Sequence, residues 1–174
     1  MKINFILTGE GSSDLRLVEH IENILIQNGF DEASGEAPDL GRLVNPPGRT
    51  VREKLIAILQ YYPDIDAIFV HRDADGTGTA AREQEIALAC GGIAGLPTVI
   101  PIIPVTMLET WLLADQDAIK RVSGNQNNQG QITCIPGLNR LESTRDTKTL
   151  LLEALCEASA AQGGAIGKIQ KALL

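Results

Sequence analysis

Short strand-forming runs alternate with helix-periodic segments along most of this chain, and that alternation restricts its fold more than any other feature. Ile3 to Leu7 is apolar and stops at Thr8-Gly9-Glu10-Gly11. Ser12 and Ser13 offer a helix cap, Asp14 lies in the next turn, and Leu15, Val18, Ile21, Ile24 and Leu25 recur at helical spacing up to Gly29. Asp31 to Asp39 reads as polar and irregular, with a weak second strand expected near Arg42-Leu43-Val44 before the break at Pro46-Pro47-Gly48. Thr50 caps a helix carried by Val51, Leu55, Ile58 and Leu59, which ends before Pro63. Ile65 to Val70 is a near-continuous apolar strand running into His71-Arg72-Asp73-Ala74-Asp75-Gly76. A helix is expected over Thr79 to Cys90, and a further strand over Thr98 to Val105, where two prolines favour an edge position. Met107 to Asp115 reads as a helix that continues or restarts through Ile119.

The order β-α-β-α-β-α-β-α-α predicts an α/β layered domain of about four mostly parallel strands flanked by helices. Residues 1–122 are assigned to this core and 123–137, rich in Asn, Gln and Gly, to a mobile loop. Residues 138–174 read as a helical extension, with one helix over Thr147 to Ala160 and a short terminal one.

With 15 Lys and Arg against 22 Asp and Glu, the 174-residue chain carries a formal charge of −7. Phosphate neutralisation needs basic groups, so any nucleic-acid face is expected to be local or supplied by a partner. No apolar run approaches the roughly 18 residues of a membrane span. The first residues lack the pattern of a signal peptide, so a cytoplasmic location and no membrane partner are expected. Cys90, Cys134 and Cys156 are odd in number and form no Cys-x-x-Cys pair, which favours reduced structural thiols over zinc or disulfides.

In parallel sheets the working groups gather at the carboxyl ends of the strands. Here two strand ends carry carboxylates, at Glu10 and at Asp73 and Asp75. Were the backbone extended through Ala74, both aspartates would point the same way, about 7 Å apart along the chain. Such a pair suits a hard divalent cation, although Asp-x-Asp-Gly also occurs as a plain acidic turn. Glu10, between two glycines before a helix start, could ligate metal or move a proton. Asp14 could support it, or simply complement the helix dipole.

These two segments resemble the Toprim domain, the family that includes parts of topoisomerases, primases and OLD-family nucleases. Its signature is a glutamate in a glycine turn after the first strand and an Asp-x-Asp after the third. The run Glu109-Thr110-Trp111-Leu112-Leu113-Ala114-Asp115 is similar to one in small bacterial Toprim-like proteins that are linked to a separate ATPase in defence systems. The resemblance covers roughly residues 3–115. It implies a Rossmann-like Toprim fold and a Mg²⁺ (or Mn²⁺)-dependent nuclease acting on DNA, with an ATPase partner; a homodimer also stays open.

By position, the resemblance makes Glu10 a general acid/base or metal ligand and Asp73 and Asp75 metal ligands. It makes Glu109 a further ligand or orienting group and Trp111 a pocket-shaping residue; packing of that helix on the sheet is the alternative. His71 shares a face with Asp73 by alternation and reads chiefly as a buried histidine, while His20 reads as structural or exposed. A basic group for the phosphate is sought in Arg145 or Lys148, since Arg72 is expected to point to the opposite face. Two other functions remain open: a non-cleaving or partner-dependent metal-binding subunit, and a haloacid-dehalogenase-like phosphatase with Asp73 as nucleophile and Asp75 as acid.

Overall fold

Four parallel strands form one sheet in the computed structural model, which describes residues 1–11 and 16–159. They are β1 (Lys2–Thr8), β2 (Glu32–Glu36), β3 (Ala67–His71) and β4 (Thr98–Ile102), in the spatial order β2-β1-β3-β4. Helices α1 (Leu17–Gln27), α2 (Val51–Tyr61) and α3 (Thr79–Cys90) make the three crossovers. The architecture is α/β with a Rossmann-like layered arrangement.

All five residues of β3 are buried, as a central parallel strand requires when both its faces are covered. Ile6, Ile68 and Val70 share a core with Leu55 and Ile58 of α2 and Ile86 and Ala89 of α3. On the opposite face Phe5 and Phe69 stack edge to face, with ring centroids 5.0 Å apart. Right-handed crossovers in this strand order put α1 on that second face. At the amino ends of the central strands, Asp66 fixes the register by accepting from the Asn4 N–H at 2.8 Å and donating its own N–H to the Asn4 carbonyl at 2.8 Å.

The second strand corrects the expectation from sequence. It lies at Glu32–Glu36, within the stretch read as irregular, while Arg42 closes a 3-10 turn, Leu40–Arg42. This is an edge strand whose residues alternate between exposed and half-buried. Backbone pairing to β1 holds it, so it has no apolar pattern to display. Its Gly35 N–H donates to Glu22 Oε1 of α1 at 2.9 Å. A methyl group at position 35 would meet the Phe5 ring, which explains a glycine in mid-strand.

Thr50 caps α2 as expected, in a reciprocal box with Glu53: Thr50 Oγ1 accepts from the Glu53 N–H, and the Glu53 carboxylate accepts from the Thr50 N–H. The Thr50 hydroxyl and then the Thr50 N–H, both donating to the carboxylate, hold the Glu53 carboxyl below its ordinary pKa. Gly29, at φ +100°, follows the end of α1. Strand β4 stops at Ile102 rather than Val105, and its Pro101 is tolerated because β4 is an edge strand.

The chain divides into two compact units, Met1–Ile103 and Pro104–Leu174. The second contains α4 (Glu109–Leu112), α5 (Gln116–Val122), α6 (Leu138–Leu141) and α7 (Thr147–Ala158). Helix α5 restarts after α4 because the Asp115 carboxylate accepts from the Ala118 N–H at 2.9 Å, a new cap. Leu113, Ile119, Ile132, Leu141, Ala154 and Leu155 form this unit's core. The segment 123–137 is tied to α7: Asn125 and Asn128 side-chain amides donate to the Ala158 carbonyl, and Glu157 accepts from the Thr133 N–H and hydroxyl and from the Cys134 N–H. The backbone N–H of Thr133 leads the effects that bring the Glu157 pKa down to about 2. All three cysteines are free thiols, and burial, with Glu157 beside it, pushes Cys134 up to about 12. The terminal helix expected after residue 160 lies outside the described residues. Among the described residues no helix is long and apolar enough to cross a membrane.

Candidate functional site at the carboxyl ends of β1 and β3

Strand β1 lies between β2 and β3, so the chain leaves it toward one side of the sheet and returns on the other. The crevice outside such a reversal is where parallel sheets place their ligand sites. Thr8 pairs with Val70 in the register, and the segments that continue beyond them carry Glu10 and His71 to Asp75. Two clusters separated by sixty residues of sequence thus share one end of two adjacent strands.

Arg72 links them. Its Nη1 lies 2.7 Å from Glu10 Oε1 and its Nη2 lies 3.0 Å from Glu85 Oε1 of α3. This corrects the expectation that Arg72 faces away. Regular alternation ends at His71, and although the Arg72 N–H still bonds the Ile102 carbonyl at 3.1 Å, the side chain reaches Glu10. Arg82, one helical turn before Glu85, donates from Nη1 to Glu85 Oε2 at 2.8 Å and from Nε to the Asp73 carbonyl at 3.0 Å. Burial pushes the Glu85 pKa up, but hydrogen bonds and charge from Arg82 and Arg72 outweigh it and hold the carboxyl below its ordinary value. The result is a continuous chain, Glu10–Arg72–Glu85–Arg82–Asp73, joining the two strand ends through α3.

His71 is buried at 1% exposure, with Nε2 3.5 Å from Asp73 Oδ1. Asp73 is 26% exposed, with Oδ1 itself buried, and Glu10 is 40% exposed. The backbone does not stay extended past Asp73: Ala74 is helical (φ −69°, ψ −34°) and buried, and Asp75 opens a 3-10 turn, Asp75–Thr77. The geometric ground for placing both aspartates on one side is therefore removed. The Asp75 side chain and the whole of Asp14, with the Ser12 and Ser13 cap, lie outside the described residues.

A cleft of about 300 Å³ adjoins Glu10, between the turn Thr8–Gly11 and residues 37–41. Lys54 of α2 lines it and donates from Nζ to the Gly9 carbonyl at 2.6 Å. Lys54, Arg82 and Glu85 are the site-side residues that sequence reasoning missed. The i,i+3 spacing of Arg82 and Glu85 was a usable signal on a helix; nothing in the sequence ties Lys54 to Gly9.

The remaining expected residues belong to other elements. Glu109 begins α4 and is half-buried, and Trp111 is 44% exposed, both in the second unit. Arg145 and Lys148 are exposed in that same unit, and His20 is exposed on α1. Among the described residues no three His, Cys, Asp or Glu side chains converge on one point. Glu10, 40% exposed, and Asp73, 26% exposed with Oδ1 buried, nonetheless carry carboxylate oxygens, the donor chemistry of a hard divalent cation. Comparison of the chain with protein-family models, curated proteins and solved structures returns no match.

Proposed function

We propose that this protein is a Mg²⁺-dependent, Toprim-like phosphodiesterase that cleaves DNA. The observation that carries the reading is the meeting of Glu10 and the Asp73 segment at neighbouring strand ends, joined by Arg72. Glu10 and Asp73 are the residues that would hold the cation, with Asp75 added on the resemblance alone and Mn²⁺ as an alternative occupant. When bound, it supplies Lewis-acid stabilisation of the charge that builds on a phosphate under attack.

The chain's own groups do the rest. Glu10 is open to solvent and accepts the proton of an attacking water or returns one to the leaving hydroxyl oxygen. One phosphorus–oxygen bond forms to the water and the ester bond to the leaving group breaks. Lys54 holds the Gly9 carbonyl and so fixes the turn from which Glu10 projects. Arg82 does the same for Asp73 through its carbonyl. His71, buried, places its Nε2 3.5 Å from Asp73 Oδ1 and so helps to position that carboxylate.

The test is Mg²⁺-dependent nicking of supercoiled plasmid by the wild type, Glu10→Gln and Asp73→Asn. Cleavage by the wild type that both variants lose, with folding retained, is expected. Variants as active as the wild type sink the assignment.

The charge of −7 favours a second reading, in which the protein cuts only when a partner, an ATPase subunit on the resemblance, supplies the basic surface for DNA. On that reading the wild type alone binds the cation and leaves plasmid intact until the partner is added.

A further inference from the structure

We infer that Arg72 is a resident counter-cation of Glu10, so that a divalent cation that ligates Glu10 competes with its guanidinium; this rests on the proposed metal-dependent function. Arg72 sits 2.7 Å from Glu10 and is 20% exposed against 40% for Glu10, so the guanidinium is the more shielded partner of the pair. A guanidinium stays charged at any working pH and cannot leave by losing its proton. A cation that ligates Glu10 therefore competes with Arg72 for the charge of one carboxylate, whose Oε1 already carries the guanidinium.

Glu85 sets the terms of that competition. It binds Arg72 at 3.0 Å from the other side and is itself held in place by Arg82. When Glu10 turns to the cation, Arg72 keeps a partner and its charge is not stranded in a partly buried site. Glu85 thus stabilises the displaced state, while Arg72 stabilises the closed one. The two residues act in opposite directions on cation affinity, although they form one ion pair.

Mn²⁺ affinity, measured by calorimetry or by the loss of the free-ion paramagnetic resonance signal, tests this without reference to activity. Arg72→Gln is expected to tighten Mn²⁺ binding about fivefold to tenfold, and Glu85→Gln to weaken it by a similar factor. Arg72→Lys keeps the charge but not the fork that spans Glu10 and Glu85, and is expected to fall between the wild type and Arg72→Gln. Glu83→Gln removes an equal charge from an exposed position on the same helix and is expected to change nothing. Should Arg72→Gln fail to fold, the weakening in Glu85→Gln set against Glu83→Gln still decides the matter.

Wild-type binding that neither Arg72→Gln nor Glu85→Gln alters overturns the inference and leaves the proposed function standing. Equal weakening in Glu85→Gln and Glu83→Gln overturns it too, because general charge would then account for the effect. A wild type that binds no Mn²⁺ overturns the functional reading and the inference together.

Discussion

Lys54 reaches across 45 residues of sequence to the Gly9 carbonyl, and nothing in its neighbourhood on α2 announces it. Its aliphatic stem lets a helix on one face brace a turn at the end of a strand. Lys54→Met is expected to lower cleavage at least about tenfold while leaving thermal unfolding nearly unchanged, because a small misplacement of Glu10 costs rate and not fold. A single-turnover assay beside a melting curve checks both halves of this. Glu10 and Asp73 were legible because a carboxylate at a strand end is a local pattern. The reach of Arg72 was not, since it depends on regular alternation stopping after His71, where β3 ends. Nor was the turn at Ala74, which bends the chain between two aspartates that alternation would align.

Strand β2 shows how an element escapes reading from sequence. Its residues, Glu-Ala-Ser-Gly-Glu, lack β-branched and aromatic side chains, and the information that specifies it sits on β1 as Phe5 and on α1 as Glu22. Gly35→Ala is expected to destabilise the fold by about 1–3 kcal/mol, the usual cost of overpacking, as read by urea denaturation. By contrast α2, with its capping box and regular apolar spacing, was legible almost to the residue. The contact between 123–137 and α7 turns on Glu157. Its carboxyl titrates near 2 in the fold against an ordinary 4.5, so the unfolded chain takes up the proton first as the pH falls. The stabilisation is present above about pH 4.5 and is lost as the pH drops toward 2. Glu157→Gln places an amide N–H against the Cys134 N–H and is expected to melt below the wild type at pH 7. That difference is expected to shrink to nothing near pH 2, as melting curves across the pH range would show.

For the molecule as a whole, alternation of apolar runs and helical periods conveyed the class, the strand number and the parallel sense of the sheet. Strand order is another matter, since pairing is non-local; it emerges only with the sheet, and it is what makes β1 and β3 neighbours. The central claim is that their two ends are one site. A double-mutant cycle on plasmid cleavage tests it most directly, using Glu10→Gln, Asp73→Asn and the combined variant under single-turnover conditions with Mg²⁺. Groups that act as a unit lose their effect together, so the combined variant is expected to be no slower than the worse single variant. Losses that multiply would mean that the two carboxylates work independently, and would contradict the claim.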